Sequence, residues 1–151
     1  MCQDNQHKYE ILKQVEDNSV GWRVRAIRGA TTVPENTVVA IREAVHELLD
    51  ELERHNSLDM DEIVSVTFSV TSDLDAIFPA AIARERPHWN NVPLLDVQQM
   101  YVKGSLERCI RFLIHFNTPN PHVEIYHPYL RQARQLRPDR ILTQTALTSS
   151  K

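Results

Sequence analysis

Residues 109–116 read Cys-Ile-Arg-Phe-Leu-Ile-His-Phe, and their alternation decides the fold. In an extended chain Ile110, Phe112, Ile114 and Phe116 share one side, an unbroken apolar face that should pack on helices. Cys109, Arg111, Leu113 and His115 fall on the other side. This is the strongest strand in the chain. Working back past Gly104, Val92–Val97 (VPLLDV) is a short apolar run with a proline near its start, which suits an edge strand. Ahead of it, Ser72 or Asp73 could cap a helix running through residues 75–85 (DAIFPAAIARE) and ending before Pro87, because the residue before a proline disfavours helical geometry. Ile63–Val70 (IVSVTFSV) alternates apolar residues with Ser and Thr and reads as a strand, entered through a capped turn at Asp59–Glu62.

Further upstream, Thr37 is the N-cap of the clearest helix, with Val38, Ile41, Val45, Leu48, Leu49 and Leu52 at helical spacing and a stop near Asn56. Trp22–Arg28 alternates as a half-buried strand, with a turn expected at Gly29. Beyond the 109–116 strand comes the turn TPNP at 118–121, and then residues 123–136, which fit either helix or strand. Intermixed strands and helices without repeats imply an α/β fold, an α+β mixed sheet in a single domain at residues 21–140. A polar leader at 1–20 and a tail at 141–151 flank it.

With 151 residues, 42% of them hydrophobic, the chain is long enough for one core that needs no disulfide. Lys and Arg number 17 against 20 Asp and Glu, a formal charge of −3 that gives no reason to expect nucleic acid or an anionic membrane as partner. Any anion site must therefore be local. Cys2 and Cys109 lie far apart and the leader has no apolar core, so the expectation is a soluble protein of the reducing cytoplasm. No apolar run approaches the roughly 20 residues of a membrane helix.

The familiar catalytic signatures are missing: no G-x-S-x-G, H-E-x-x-H or paired C-x-x-C, and 3 glycines exclude a phosphate loop. The 7 histidines show no metal-ligand spacing, so neither metal nor cofactor is expected. Arginine is the more informative residue. Arg28 ends its strand, Arg111 interrupts the most hydrophobic one, and Arg84 lies on the helix that follows a Phe-Pro pair. A buried guanidinium is costly unless paired, so each has an internal salt bridge, reaches the surface, or awaits an anion. Three such residues together ask for a common anion, and Tyr129 and Arg137 add donors near the C-terminal end.

The segments VRAIRGATTV, TSDLDAIFPAAIARE, WNNVPLLDVQQM, GSLERCIRFLIHFNT and YHPYLRQARQLRPD, spread over residues 22–139, together resemble the small trimeric chorismate mutases of bacteria. The resemblance implies a homotrimeric pseudo-barrel with active sites between neighbouring subunits, and an isomerase converting chorismate to prephenate in aromatic amino-acid biosynthesis. It makes Arg28 the grip on a substrate carboxylate and Arg111 the donor to the ether oxygen whose bond breaks. It also makes Phe78, Ala80 and Arg84 walls supplied by the adjacent subunit, Leu94 and Leu95 further pocket wall, and Tyr129, Leu136 and Arg137 the residues that close the pocket. Ala81 stands where the family often has lysine.

Two departures matter more. Gln99 replaces the usual glutamate and Asp96 a thiol or hydroxyl residue, both facing the ring hydroxyl of the substrate in the family. Either the carboxylate has moved to Asp96, with Gln99 assisting, or Asp96 faces solvent and Gln99 serves alone. The other functional readings are a non-catalytic chorismate- or prephenate-binding homologue and a small trimeric imine deaminase.

Overall fold

The computed structural model describes residues 21–139. The expected leader and C-terminal tail lie outside the described residues. Four strands, β1 (Arg23–Thr32), β2 (Ile63–Val70), β3 (Leu94–Gln98) and β4 (Cys109–Thr118), form one mixed sheet in the order β1-β4-β2-β3. β4 pairs antiparallel with both β1 and β2, whereas β2 and β3 run parallel. The most apolar strand is thus an inner one, as its four-residue hydrophobic face requires.

Helix α1 (Val38–His55) covers one face of this sheet. The Thr37 side chain accepts from the Ala40 amide at 3.1 Å, closing the first turn. Asn56 ends the helix with two donated bonds, to the carbonyls of Leu52 and Tyr126. The stripe Ile41, Val45, Leu48, Leu49 and Leu52 is buried, together with Ala40 and Ala44, while Val38 stays exposed. It packs in one core with Ile27, Val66, Phe68, Ile110, Phe112, Ile114 and Phe116. Trp89 belongs to the same core and satisfies its indole N–H on Glu53 at 2.8 Å.

Three expectations need correction. β1 does not turn at Gly29 but runs on to Thr32. The glycine is there for close approach: a Cβ would lie 2.4 Å from the Phe112 ring and 2.9 Å from the Pro128 carbonyl oxygen. Second, neither Ser72 nor Asp73 caps a helix. Helix α2 is only Pro79–Arg84, with Pro79 entering its first turn. Asp73 instead accepts from the Thr71 hydroxyl and the Arg108 amide, pinning the loop to the start of β4. Third, the chain from 123 is neither continuous helix nor strand: Tyr129 makes an isolated parallel bridge to Ala30, and Arg131–Leu136 is a 3₁₀ segment. β3 is at the sheet edge as expected, and the Pro93 carbonyl just before it accepts from the Val66 amide at 2.9 Å.

Candidate active site

α1 and α2 leave the second face of the sheet uncovered. Cross-strand register puts Arg28 opposite Leu113, Thr67 opposite Leu113 and Leu95 opposite Thr67, one row across the sheet. The next row is Ala30, Arg111, Ser69 and Val97. Arg28 and Arg111 therefore share the helix-free face on neighbouring strands.

Arg111 is half-buried, its Nε is shielded and without a hydrogen-bond partner, and no carboxylate lies within ion-pair distance among the described residues. Beside it is Cys109, whose thiol is pushed up by burial, with the guanidinium pulling the other way. Arg28 is exposed and likewise has no ion pair among the described residues. The internal salt bridge open to each arginine from sequence is therefore not made among the described residues. The Arg28 backbone N–H donates to His127 Nδ1 at 2.9 Å, a positioning contact with no signal in the sequence pattern.

The C-terminal segment closes over this corner. The Ala30 amide donates to Pro128 and the Leu130 amide to the Ala30 carbonyl, each at 2.9 Å. This seats Tyr129 and Leu136 in a small apolar cluster with Ala30, Leu106 and Ala133. Arg137 lies against Tyr129 and makes a two-pronged bond to Asp139 at 3.1 and 2.9 Å. Its pKa is raised, chiefly by Asp139. Arg28, Arg111, Tyr129, Leu136 and Arg137 are thus brought together at one end of the sheet.

The remaining candidates gather at the other edge. Phe78 precedes α2 and is 70% exposed, Ala80 is buried in the first turn, and Arg84 is exposed in the last. Asn36 holds the loop leading to Phe78, accepting from the Asp75 and Ala76 amides at 3.1 Å each, a latch the sequence reading missed. Leu94 and Leu95 open β3, Leu94 packed against the core and Leu95 exposed.

Gln99 follows the strand, its backbone N–H donating to the Val70 carbonyl at 2.7 Å and its Oε1 buried without a partner. Asp96 is on the Leu94 side of β3, and its Oδ1 accepts from the Ala80 amide at 3.0 Å. One carboxylate oxygen of Asp96 is therefore already engaged by α2. Burial raises its pKa, opposed by the Ala80 N–H and by the charge of Arg84.

Two groups of candidate residues result. β4 and β2 lie between β1 and β3, so Arg28 and Leu95 are about 14 Å apart at the usual strand spacing.

Comparison with known proteins gives this arrangement a family. The sequence profile of type I chorismate mutase matches residues 24–140. The chain is 39% identical over 120 residues to the chorismate mutase AroH of Bacillus subtilis, covering 80% of this chain and 94% of that one. It is 45% identical over 117 residues to the AroH of Thermus thermophilus, with coverage of 77% and 95%. A solved chorismate mutase from Clostridium thermocellum superposes with a TM-score of 0.69 at 44% identity, over 74% of this chain and 98% of that one. A profile match through both groups of candidate residues and these near-full-length relatives establish that the chain belongs to the type I chorismate mutase family.

Proposed function

We propose that this protein converts chorismate to prephenate at a site completed between two subunits of a homotrimer, with Arg111 as the principal transition-state donor. The observation that carries the reading is Arg111 itself: a half-buried guanidinium whose shielded Nε has no hydrogen-bond partner and which has no carboxylate within ion-pair distance among the described residues. Leaving such a charge unpaired costs stability, and the cost is accounted for by a ligand that supplies the anion.

The reaction is an intramolecular Claisen rearrangement, in which the ether carbon–oxygen bond breaks as a carbon–carbon bond forms. No proton moves and no covalent intermediate is needed, which accounts for the missing catalytic signatures. Catalysis consists of holding the dianion in its compact conformer and stabilising charge on the ether oxygen. Guanidinium groups stay ionised and present fixed donors to carboxylates. Arg28, with its backbone held by His127, grips one carboxylate. Phe78, Ala80, Arg84, Leu94 and Leu95 form the opposite wall, and Gln99 offers its unpartnered Oε1 to the ring hydroxyl. Tyr129, Leu136 and Arg137 close the pocket, Arg137 exchanging Asp139 for the substrate.

The trimer is supported by the split site and by the uncovered apolar surface. Val24, Leu95, Val97 and Leu113 on the helix-free face, with Met100, Tyr101 and Val102 beyond β3, are all exposed in the single chain. So many large apolar groups on one side exceed what a stable monomer normally shows water. No helix among the described residues is long and apolar enough to cross a membrane, and a cytoplasmic location is part of the proposal.

Gln99 favours one rival, a homologue that binds chorismate or prephenate without turnover, since a neutral amide is a weaker acceptor than glutamate. The deciding experiment follows chorismate absorbance with purified protein. Loss of chorismate with matching prephenate formation supports catalysis, and saturable binding without loss supports the rival.

A further inference from the structure

Helix α2 has six residues, and its entry lacks a side-chain cap at the position just before it, which is occupied by Phe78. An isolated helix of this length does not hold itself together in water. Pro79 has no N–H, the Ala81 amide bonds to the Phe78 carbonyl at 3.1 Å, and the Ala80 amide is taken by Asp96 from across the fold, 16 residues away. Asp96 thus caps α2 from a strand. This bond links the two elements that carry one group of candidate residues: α2 with Phe78, Ala80 and Arg84, and β3 with Leu94, Leu95 and the start of the turn to Gln99. The carboxylate also feels the charge of Arg84 without forming an ion pair, since no Arg84–Asp96 contact lies within 4.0 Å among the described residues. Arg84 is exposed and makes no ion pair among the described residues, so its head is open to a ligand.

We infer that Asp96 is a positioning residue for the chorismate site, one that acts through α2 by fixing Phe78 and Arg84 against β3 and does not itself touch substrate. The inference rests on the proposed function for its kinetic consequences. What it adds is a role for the aspartate that stands where the family has a thiol or hydroxyl residue. It also separates the acceptor oxygen of Asp96, which is required, from its charge, which is not. An asparagine there keeps an oxygen that can accept from Ala80, and an alanine does not.

The test compares Asp96→Asn with Asp96→Ala, and with Asp96→Val as a strand-compatible deletion should the alanine variant not fold. Chorismate kinetics are read together with hydrogen exchange of the backbone amides at residues 80–84. Loss of the cap should speed exchange of those amides and raise KM by about 5- to 20-fold, with a smaller change in kcat because Arg111 is on another element. Asp96→Asn should stay within about threefold of the parent in both readouts. An asparagine variant as impaired as the alanine one overturns the inference, because the charge itself would then be at work on the substrate. So does an alanine or valine variant with parental exchange and KM. If the parent protein does not turn over chorismate, the proposed function fails, and the exchange data alone decide whether Asp96 holds α2.

Discussion

Replacing Arg111 by alanine separates activity from stability in a way that a structural arginine would not. The side chain is half-buried on an inner strand, its Nε has no partner, and no ion pair to it forms among the described residues. Removing it breaks no internal salt bridge, so the loss of about 3–5 kcal/mol typical of a broken buried pair should not appear. The melting temperature should stay near the parent value or rise, as the protein no longer holds an unpaired charge away from water. In the proposed mechanism the same guanidinium faces the ether oxygen in the transition state, and deleting one preorganised donor of this kind costs about 2.7–4 kcal/mol, a drop of about 100- to 1,000-fold in kcat. KM should change far less, because the interaction strengthens only as the bond lengthens. Initial rates of chorismate loss across a substrate range, with thermal melts of the same samples, measure both effects. A variant that keeps kcat within a few-fold, or that unfolds as a broken salt bridge would make it unfold, refutes the reasoning.

Mixing inactive Arg84→Ala and Arg111→Ala chains under conditions of subunit exchange should restore part of the activity, since the proposed site draws the two residues from different subunits; exchanged mixtures that stay inactive mean the site is not shared. Arg28→Ala should raise KM as well as lower kcat, and the parent KM should rise with salt because the ligand is a dianion; a salt-independent KM counts against the carboxylate grip. Gly29→Ala should lower the melting temperature, because the new Cβ meets the Phe112 ring at 2.4 Å and backbone at 2.9 Å, and an unchanged melt would contradict the close approach. The folded-state pKa of Asp96 is raised by burial, so its ionised form is disfavoured in the fold and the cost is lifted as pH falls through that pKa. Asp96→Asn should therefore melt no lower than the parent at neutral pH, with any advantage vanishing in acid, and a variant less stable at neutral pH than in acid contradicts this.

Much of the fold could be read from local pattern. Period-two alternation in 63–70 and 109–116 and the Thr37-capped stripe of α1 are strong because one face of each element meets a single core. Gly29 was misread because turn chemistry is a local signal, whereas its actual reason, an aromatic ring on the paired strand, depends on register. The 72–78 loop misled for the converse reason: Asp73 has the chemistry of a cap but spends it on Thr71 and Arg108. In the site, the arginines announced themselves as charges interrupting apolar strands. Asp96 drew notice too, but its contact was illegible, since its partner is a backbone amide whose position only the packing of α2 on β3 reveals. His127 and Asn36 were illegible for the same reason, both serving backbone N–H groups of distant segments.

The most direct measurement is the rate of chorismate conversion by the purified protein as a function of pH between about 7 and 9, where arginines remain ionised. Catalysis by positioned guanidinium groups, with no proton transferred, should give turnover to prephenate with a flat profile across that range. An inactive protein, or a bell-shaped profile within it, would contradict the account.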